Sequence, residues 1–264
     1  MGVGVVRAGT SLSTWYRDFG RHDLPWRATR DRWAILVSEV MLQQTQVARV
    51  LSAWPEFMAR FPTPDSVADA GPGEAIRAWG TLGYPRRARR LWEAASRIAE
   101  DGWPGDLRSL PGVGRYTAGA VAAQADGVDV PAVDANIRRV VERVAGRRLS
   151  DGAAEAESVR LGGEMAGRDR LLALMDVGAM LCRARAPRCD ECPLVDACAT
   201  RGVLAHEGLR RQATFEGSFR QRRGRVLAAL REGPQPLDNL DPDALSSLIA
   251  DGLAVTTTTE ARLP

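Results

Sequence analysis

Four cysteines, Cys182, Cys189, Cys192 and Cys198, fall within 17 residues in the spacing C-x6-C-x2-C-x5-C, and the 264-residue chain has no others. Whatever the fold, this stretch has to turn back on itself if the thiols are to act together. Met1 to Leu12 has no basic segment followed by an apolar one, as a secretory leader would have. No stretch approaches the roughly 18 apolar residues of a membrane span. The chain is therefore expected to be soluble and intracellular, where clustered thiols bind metal rather than pair as disulfides. Four thiolates suit either tetrahedral zinc or a cubane iron–sulfur cluster, and neither His22 nor His206 is placed to complete a mixed zinc site. The first interval, Arg183 to Arg188, holds three arginines in a loop pinned at both ends, a platform for phosphate contacts from Arg185 and Arg188.

The charge make-up adds a second constraint. All 36 basic residues are arginine. Arginine pairs with phosphate as lysine does, but only a lysine amine forms a Schiff base, so catalytic lysine chemistry is excluded at every internal position. The arginines recur in clusters, at 86–90, 138–139, 147–148, 183–188 and 220–225, while the net charge is only +3. One basic face suited to a polyanion follows more readily than a uniformly basic surface.

Apolar periodicity predicts an all-α protein, with helices over 11–20, 31–44, 47–60, 73–78, 85–101, 115–125, 135–145, 153–166 and 169–181. Glycine and proline punctuate the gaps at Phe61–Pro64, Ala70–Gly73, Gly102–Gly105 and Leu110–Gly114. No alternating run is long enough for a central strand. After the last cysteine, residues 203–217 read as a polar linker. Residues 218–264 read as a small module with a basic helix, a second helix and a short Thr-rich strand; it is either winged-helix-like or a helical pair on the main body.

Three segments carry the chemistry. Pro111, Gly112, Val113 and Gly114 form a sharp turn before a helix, where backbone amides can approach an anion. Twenty residues on, Asp134 opens the next helix, and alone it reads as an ordinary N-cap. Glu39 is the only charge in the run from Ala34 to Val47. Burial there raises a carboxyl's pKa and lets it stay a proton donor near neutrality, unless one of the many arginines pairs with it.

Taken together, these features resemble the endonuclease III and MutY superfamily. The cysteine spacing matches the one in which its members hold a [4Fe–4S] cluster, and the hairpin, the aspartate and the cysteines follow its order. Over residues 13–200 the closer resemblance is to MutY-type adenine DNA glycosylases. It rests on Leu24-Pro25-Trp26-Arg27, on Ser38 to Val47, and on Gly80 to Tyr84 before Arg86. Pro85 stands where that family has a second aromatic, and Ala135 where it often has glycine.

The resemblance implies a helix-hairpin-helix glycosylase fold. Residues 30–136 would form a six-helix barrel, and 1–29 with 137–202 the cluster domain. It implies a monomer, cytoplasmic and nucleoid-associated, acting on double-stranded DNA with adenine mispaired with 8-oxoguanine or guanine, and not on a membrane. Adenine would be flipped out of the duplex. Glu39 would protonate its N7, Asp134 would support the cation at the sugar, and Tyr116 and Asn136 would position sugar and water. Gln43, Gln44, Thr45, Leu82, Tyr84, Arg86 and the hairpin would meet the DNA. Tyr116 occupies the place of the Schiff-base lysine of endonuclease III, so hydrolysis without lyase chemistry is implied. The residues after Gly202 are too few for the Nudix-like domain typical of the family. A thymine mismatch glycosylase and a non-catalytic DNA-binding iron–sulfur protein are the competing expectations; the Glu39 segment argues against the first, and Glu39 with Asp134 against the second.

Overall fold

The computed structural model describes residues 11–205, 207 and 214–264. Residues 206 and 208–213 of the expected linker lie outside the described residues. The described residues fall into two compact units, one drawn from the spans 1–32 and 115–210, the other from 33–114 and 211–264.

The first unit is built from α1 (Leu12–Phe19), α6 (Arg115–Ala125), α7 (Ala135–Ala145), α8 (Asp151–Gly162) and α9 (Gly167–Asp176), with a π turn, Val177–Leu181, continuing α9 into the cysteine segment. Short polar side chains start three of these helices: Ser11, Asp134 and Ser150 each accept a backbone N–H from the first turn. Trp15, Ile137, Val140, Val141, Leu171, Leu174 and Val177 meet in one core. Within it Asp176 is fully buried, and Arg27 grips both its oxygens at 2.7 and 2.8 Å. Arg21 adds a bond from its Nε at 2.7 Å and one from its backbone N–H at 2.9 Å. This triad ties the Pro25–Arg27 turn to the end of α9.

The second unit holds α2 (Arg32–Leu42) from Trp33 on, α3 (Val47–Arg60), α4 (Pro64–Trp79) and α5 (Arg86–Asp101), with Ile35, Met41, Val50, Phe57, Ile76, Trp79 and Leu91 in its interior. Two helices differ from expectation here. Predicted to run to residue 44, α2 stops at Leu42 because Gln44 takes a left-handed conformation (φ 56°). The fourth helix was expected at 73–78 but starts at Pro64, where Thr63 and Ser66 form a capping box. Gly71 (φ 83°) kinks that helix without ending it, so the glycine–proline cluster lies inside the helix and not ahead of it. In the first unit α8 starts and stops earlier than predicted, because Ser150 rather than a later residue supplies the cap.

The C-terminal module belongs to the second unit. It runs α10 (Phe219–Glu232), β1 (Gln235–Pro236), α11 (Pro242–Ala250), β2 (Val255–Thr256) and β3 (Glu260–Arg262). The antiparallel sheet has the order β1-β3-β2, with Gln235 opposite Ala261 and Val255 opposite Arg262. Helix, strand, helix and hairpin with the first strand beside the last is winged-helix connectivity. Val226, Leu230, Leu245, Leu248 and Ala261 fill its core. Asp251, at the end of α11, fixes the module to α5 by pairing with Arg86 and accepting from Arg89 through its carbonyl at 2.9 Å. Arg77 of α4 reaches the Arg231 carbonyl at 2.9 Å. Among the described residues no helix is long and apolar enough to cross a membrane.

Candidate functional site

Glu39 lies within a stretch of α2, Trp33 to Met41, in which every residue is buried; Glu39 itself is 5% exposed. Beyond α2 the chain turns through Gln43, half-buried, Gln44, exposed, and Thr45, half-buried, before α3. The loop from Gly80 to Pro85 belongs to the same unit. In it Tyr84 is 48% exposed with φ 47°, whereas Leu82 is only 4% exposed. In the free protein, then, Tyr84 is presented to solvent and Leu82 is packed inside. Arg86 is exposed but already engaged by Asp251.

Pro111 to Gly114 forms a tight turn, with the Val113 N–H donating to the Leu110 carbonyl at 3.1 Å and Val113 buried. Gly112 has φ 79°, a conformation that favours glycine, and a Cβ there would lie a tight 3.1 Å from the Arg90 Cβ.

In the other unit, one helix connects the second carboxylate to the cysteines. Asp134 caps α7, accepting the Ile137 N–H at 2.7 Å through Oδ1 and the Asn136 amide at 2.8 Å through Oδ2. Asn136 in turn accepts from Arg139 at 3.0 Å, and Arg139 donates to the carbonyls of Cys182 and Gly178, both at 2.6 Å. A turn further along, Arg143 reaches Cys182 Sγ at 3.4 Å and the Arg183 carbonyl at 2.8 Å, and it pairs with Glu207 at 2.5 Å. Asn136, Arg139 and Arg143 thus form a polar stripe at helical spacing, facing the segment that leads into the cysteines. Gly178 makes the close approach possible: a Cβ there would stand 2.7 Å from the Asn136 carbonyl oxygen. Tyr116, near the start of α6, is half-buried against the same core.

Cys182, Cys189, Cys192 and Cys198 line one pocket, together with Val140, Leu181 and Leu194. Burial raises the thiols of Cys182 and Cys189, and pushes that of Cys192 up to about 12. Among the described residues no three Cys, His, Asp or Glu side chains converge as they would on a single metal ion. Four thiols lining one pocket are a donor set that a [4Fe–4S] cluster could take. Backbone donors are at hand: the Arg201 N–H points to Cys198 Sγ at 3.4 Å. In the loop between the first two cysteines Arg185 is exposed, whereas Arg188 is held by Glu191 at 2.6 Å.

The model of the HhH-GPD superfamily of base excision DNA repair proteins matches residues 37–161. An adenine DNA glycosylase of Mycobacterium tuberculosis is 44% identical, over 96% of this chain and 91% of its own length. The chain belongs to the HhH-GPD superfamily, in its MutY-type branch. A thymine/uracil-DNA glycosylase of Pyrobaculum aerophilum is 35% identical, over 74% of this chain and 91% of its own. A solved structure of a thermostable thymine-DNA glycosylase is similar with a TM-score of 0.64 at 29% identity, covering 72% of this chain and 93% of that one.

Of the residues expected in the site, Glu39, Asp134, Tyr116 and Asn136, Glu39 is buried, Asp134 and Asn136 are joined by a hydrogen bond, and Tyr116 is half-buried. Arg87, Arg139, Arg143 and Gly178 were not among them. Arg87 could have been found: it is in phase with Leu91, Ala94 and Ile98, on the buried face of α5.

Proposed function

We propose that the protein hydrolyses the N-glycosidic bond of adenine mispaired with 8-oxoguanine or guanine in double-stranded DNA. The observation that carries this reading is the burial of Glu39, 5% exposed, in the wholly buried stretch Trp33 to Met41 of α2. Adenine is a poor leaving group until a ring nitrogen is protonated, and a desolvated carboxyl is the acid for that step. Glu39 delivers the proton to N7. As the bond to the sugar lengthens, positive charge grows at the anomeric carbon, and the carboxylate of Asp134 offsets it. The Ile137 N–H and the Asn136 amide keep that carboxylate in one orientation. Tyr116 and Asn136 position the sugar and the water that completes hydrolysis.

The chain has no lysine, and a phenol occupies position 116, so no internal amine forms a Schiff base with the opened sugar. A [4Fe–4S] cluster bound by the four cysteines would crosslink the loop from Cys182 to Cys198 and present Arg185 to the phosphate backbone. The turn at Pro111–Gly114 and the segments around Gln44 and Tyr84 supply the remaining contacts.

A second reading, excision of thymine from T·G, is favoured by the similarity to the thymine-DNA glycosylases. Duplexes containing A·8-oxoguanine, A·G or T·G separate the two. Free adenine from the first two is the expected product, and release of thymine without adenine would overturn the proposal.

A further inference from the structure

Arg87 is a buried cation, and among the described residues no carboxylate pairs with its guanidinium. One terminal nitrogen, Nη1, donates to three carbonyls, those of Val40 at 2.7 Å, Met41 at 2.9 Å and Gln43 at 2.6 Å. The other, Nη2, donates to Thr45 Oγ1 at 2.8 Å and to the Gly83 carbonyl at 3.1 Å. Its Cζ lies over the rings of Trp79 and Tyr84, 5.2 and 5.4 Å from their centroids. Burial lowers its pKa to about 10, which leaves it charged at neutral pH.

The partners lie in two places only. Val40, Met41 and Gln43 are where α2 ends, just past Glu39, and the carbonyls at a helix C-terminus are the ones a cation satisfies best. Gly83 and Tyr84 belong to the second loop, and the backbone N–H of Arg87 also donates to the Tyr84 carbonyl at 2.9 Å. Gln44 and Tyr84, with φ of 56° and 47°, are the two residues of these segments that hold a left-handed conformation without being glycine. Such conformations cost free energy and persist only where their neighbours enforce them. Arg87 binds the residue on each side of Gln44, and it binds the residue before Tyr84 as well as Tyr84 itself. Lysine could not do this, because a single ammonium has three donors and no planar fork.

We infer that Arg87 is a positioning residue that locks Gln44 and Tyr84 into the backbone conformation in which they probe DNA, and so sets the preference for a mispaired over a matched duplex. This rests on the DNA contacts proposed above for the two loops. It adds a single residue that makes them one unit.

The test uses Arg87→Met and Arg87→Lys in the full chain, with two readouts. The first is amide hydrogen exchange in the free protein. Residues 42–46 and 80–85 should exchange faster in both variants while α3 and α7 keep their wild-type protection. The second is affinity for an A·G duplex, made uncleavable by a 2′-fluorine on the adenosine, relative to a matched duplex. Their ratio should fall about tenfold or more in Arg87→Met, the loss expected if one strained residue is no longer held, and less in Arg87→Lys. If the Met variant does not fold, the Lys variant decides. Unchanged exchange in either loop, or an equal loss of affinity for both duplexes, would overturn the inference. A wild-type protein with no preference for A·G would instead refute the DNA-contact reading, and the exchange data would still decide the role of Arg87.

Discussion

At the scale of single residues the two carboxylates make separable predictions. Glu39→Gln should cut the single-turnover rate of adenine excision by about 10²- to 10⁴-fold, the range for losing a general acid, while a gel-shift titration shows unchanged duplex affinity. Unchanged turnover would remove Glu39 from that role. Asp134 both caps α7 and is the proposed counter-charge, so its substitution has to distinguish cap from charge. Asparagine caps as well as aspartate, so Asp134→Asn should melt within about 0.5 kcal/mol of wild type yet lose about 10²- to 10³-fold in rate. Asp134→Ala should lose the rate and about 1 kcal/mol as well. Glu39 was legible in the sequence because a lone charge in an apolar run stands out. Arg87 was legible only through its phase with Leu91, Ala94 and Ile98, because residue type alone does not mark the inward-facing arginine in the basic run Arg86–Arg90. Leu82, which the resemblance expects to meet DNA, is packed inside the free protein, a burial no local pattern announces.

At the scale of elements the prediction concerns how the first unit is held. Asp176 is buried, which by itself would raise its carboxyl; Arg27 and Arg21 outweigh this and hold it below the usual aspartate value. A depressed folded value stabilises the fold above the ordinary aspartate pKa of about 3.9, and that contribution is lost as pH falls through the folded value. Asp176→Asn leaves buried Arg27 without its counter-charge and should cost about 3–5 kcal/mol in urea denaturation at neutral pH. The gap from wild type should narrow in strong acid. A variant as stable as wild type would show that the triad is incidental. Gly178→Ala should push α7 away from the π turn, reducing excision before it reduces DNA binding, because Asn136 and Asp134 would move with the helix. Most helices could be read from apolar spacing, but the start of α4 could not. There the sequence puts glycine and proline in the middle of a kinked helix, and the capping pair Thr63 and Ser66 is visible only as two ordinary hydroxyls.

At the scale of the whole molecule, each unit supplies one proposed catalytic carboxylate, and the cysteines belong with Asp134. Protein purified without oxygen should carry about four iron and four sulfide per chain, and Cys192→Ser should lower both together with the melting temperature. Zinc in place of iron would contradict the cluster assignment. The winged-helix connectivity of residues 218–264 was half-legible: the basic helix and the Thr-rich strand were, but the pairing of β1 with β3 depends on contacts no local pattern encodes. The account stands or falls on hydrolysis of an adenine bond, and one time course on an A·G duplex tests it by comparing free adenine with broken strands before and after alkali. Adenine should accumulate while the strand stays whole until alkali is added, with no protein–DNA adduct trapped by borohydride. Strand breakage that keeps pace with adenine release before alkali, or a borohydride-trapped adduct, would contradict it.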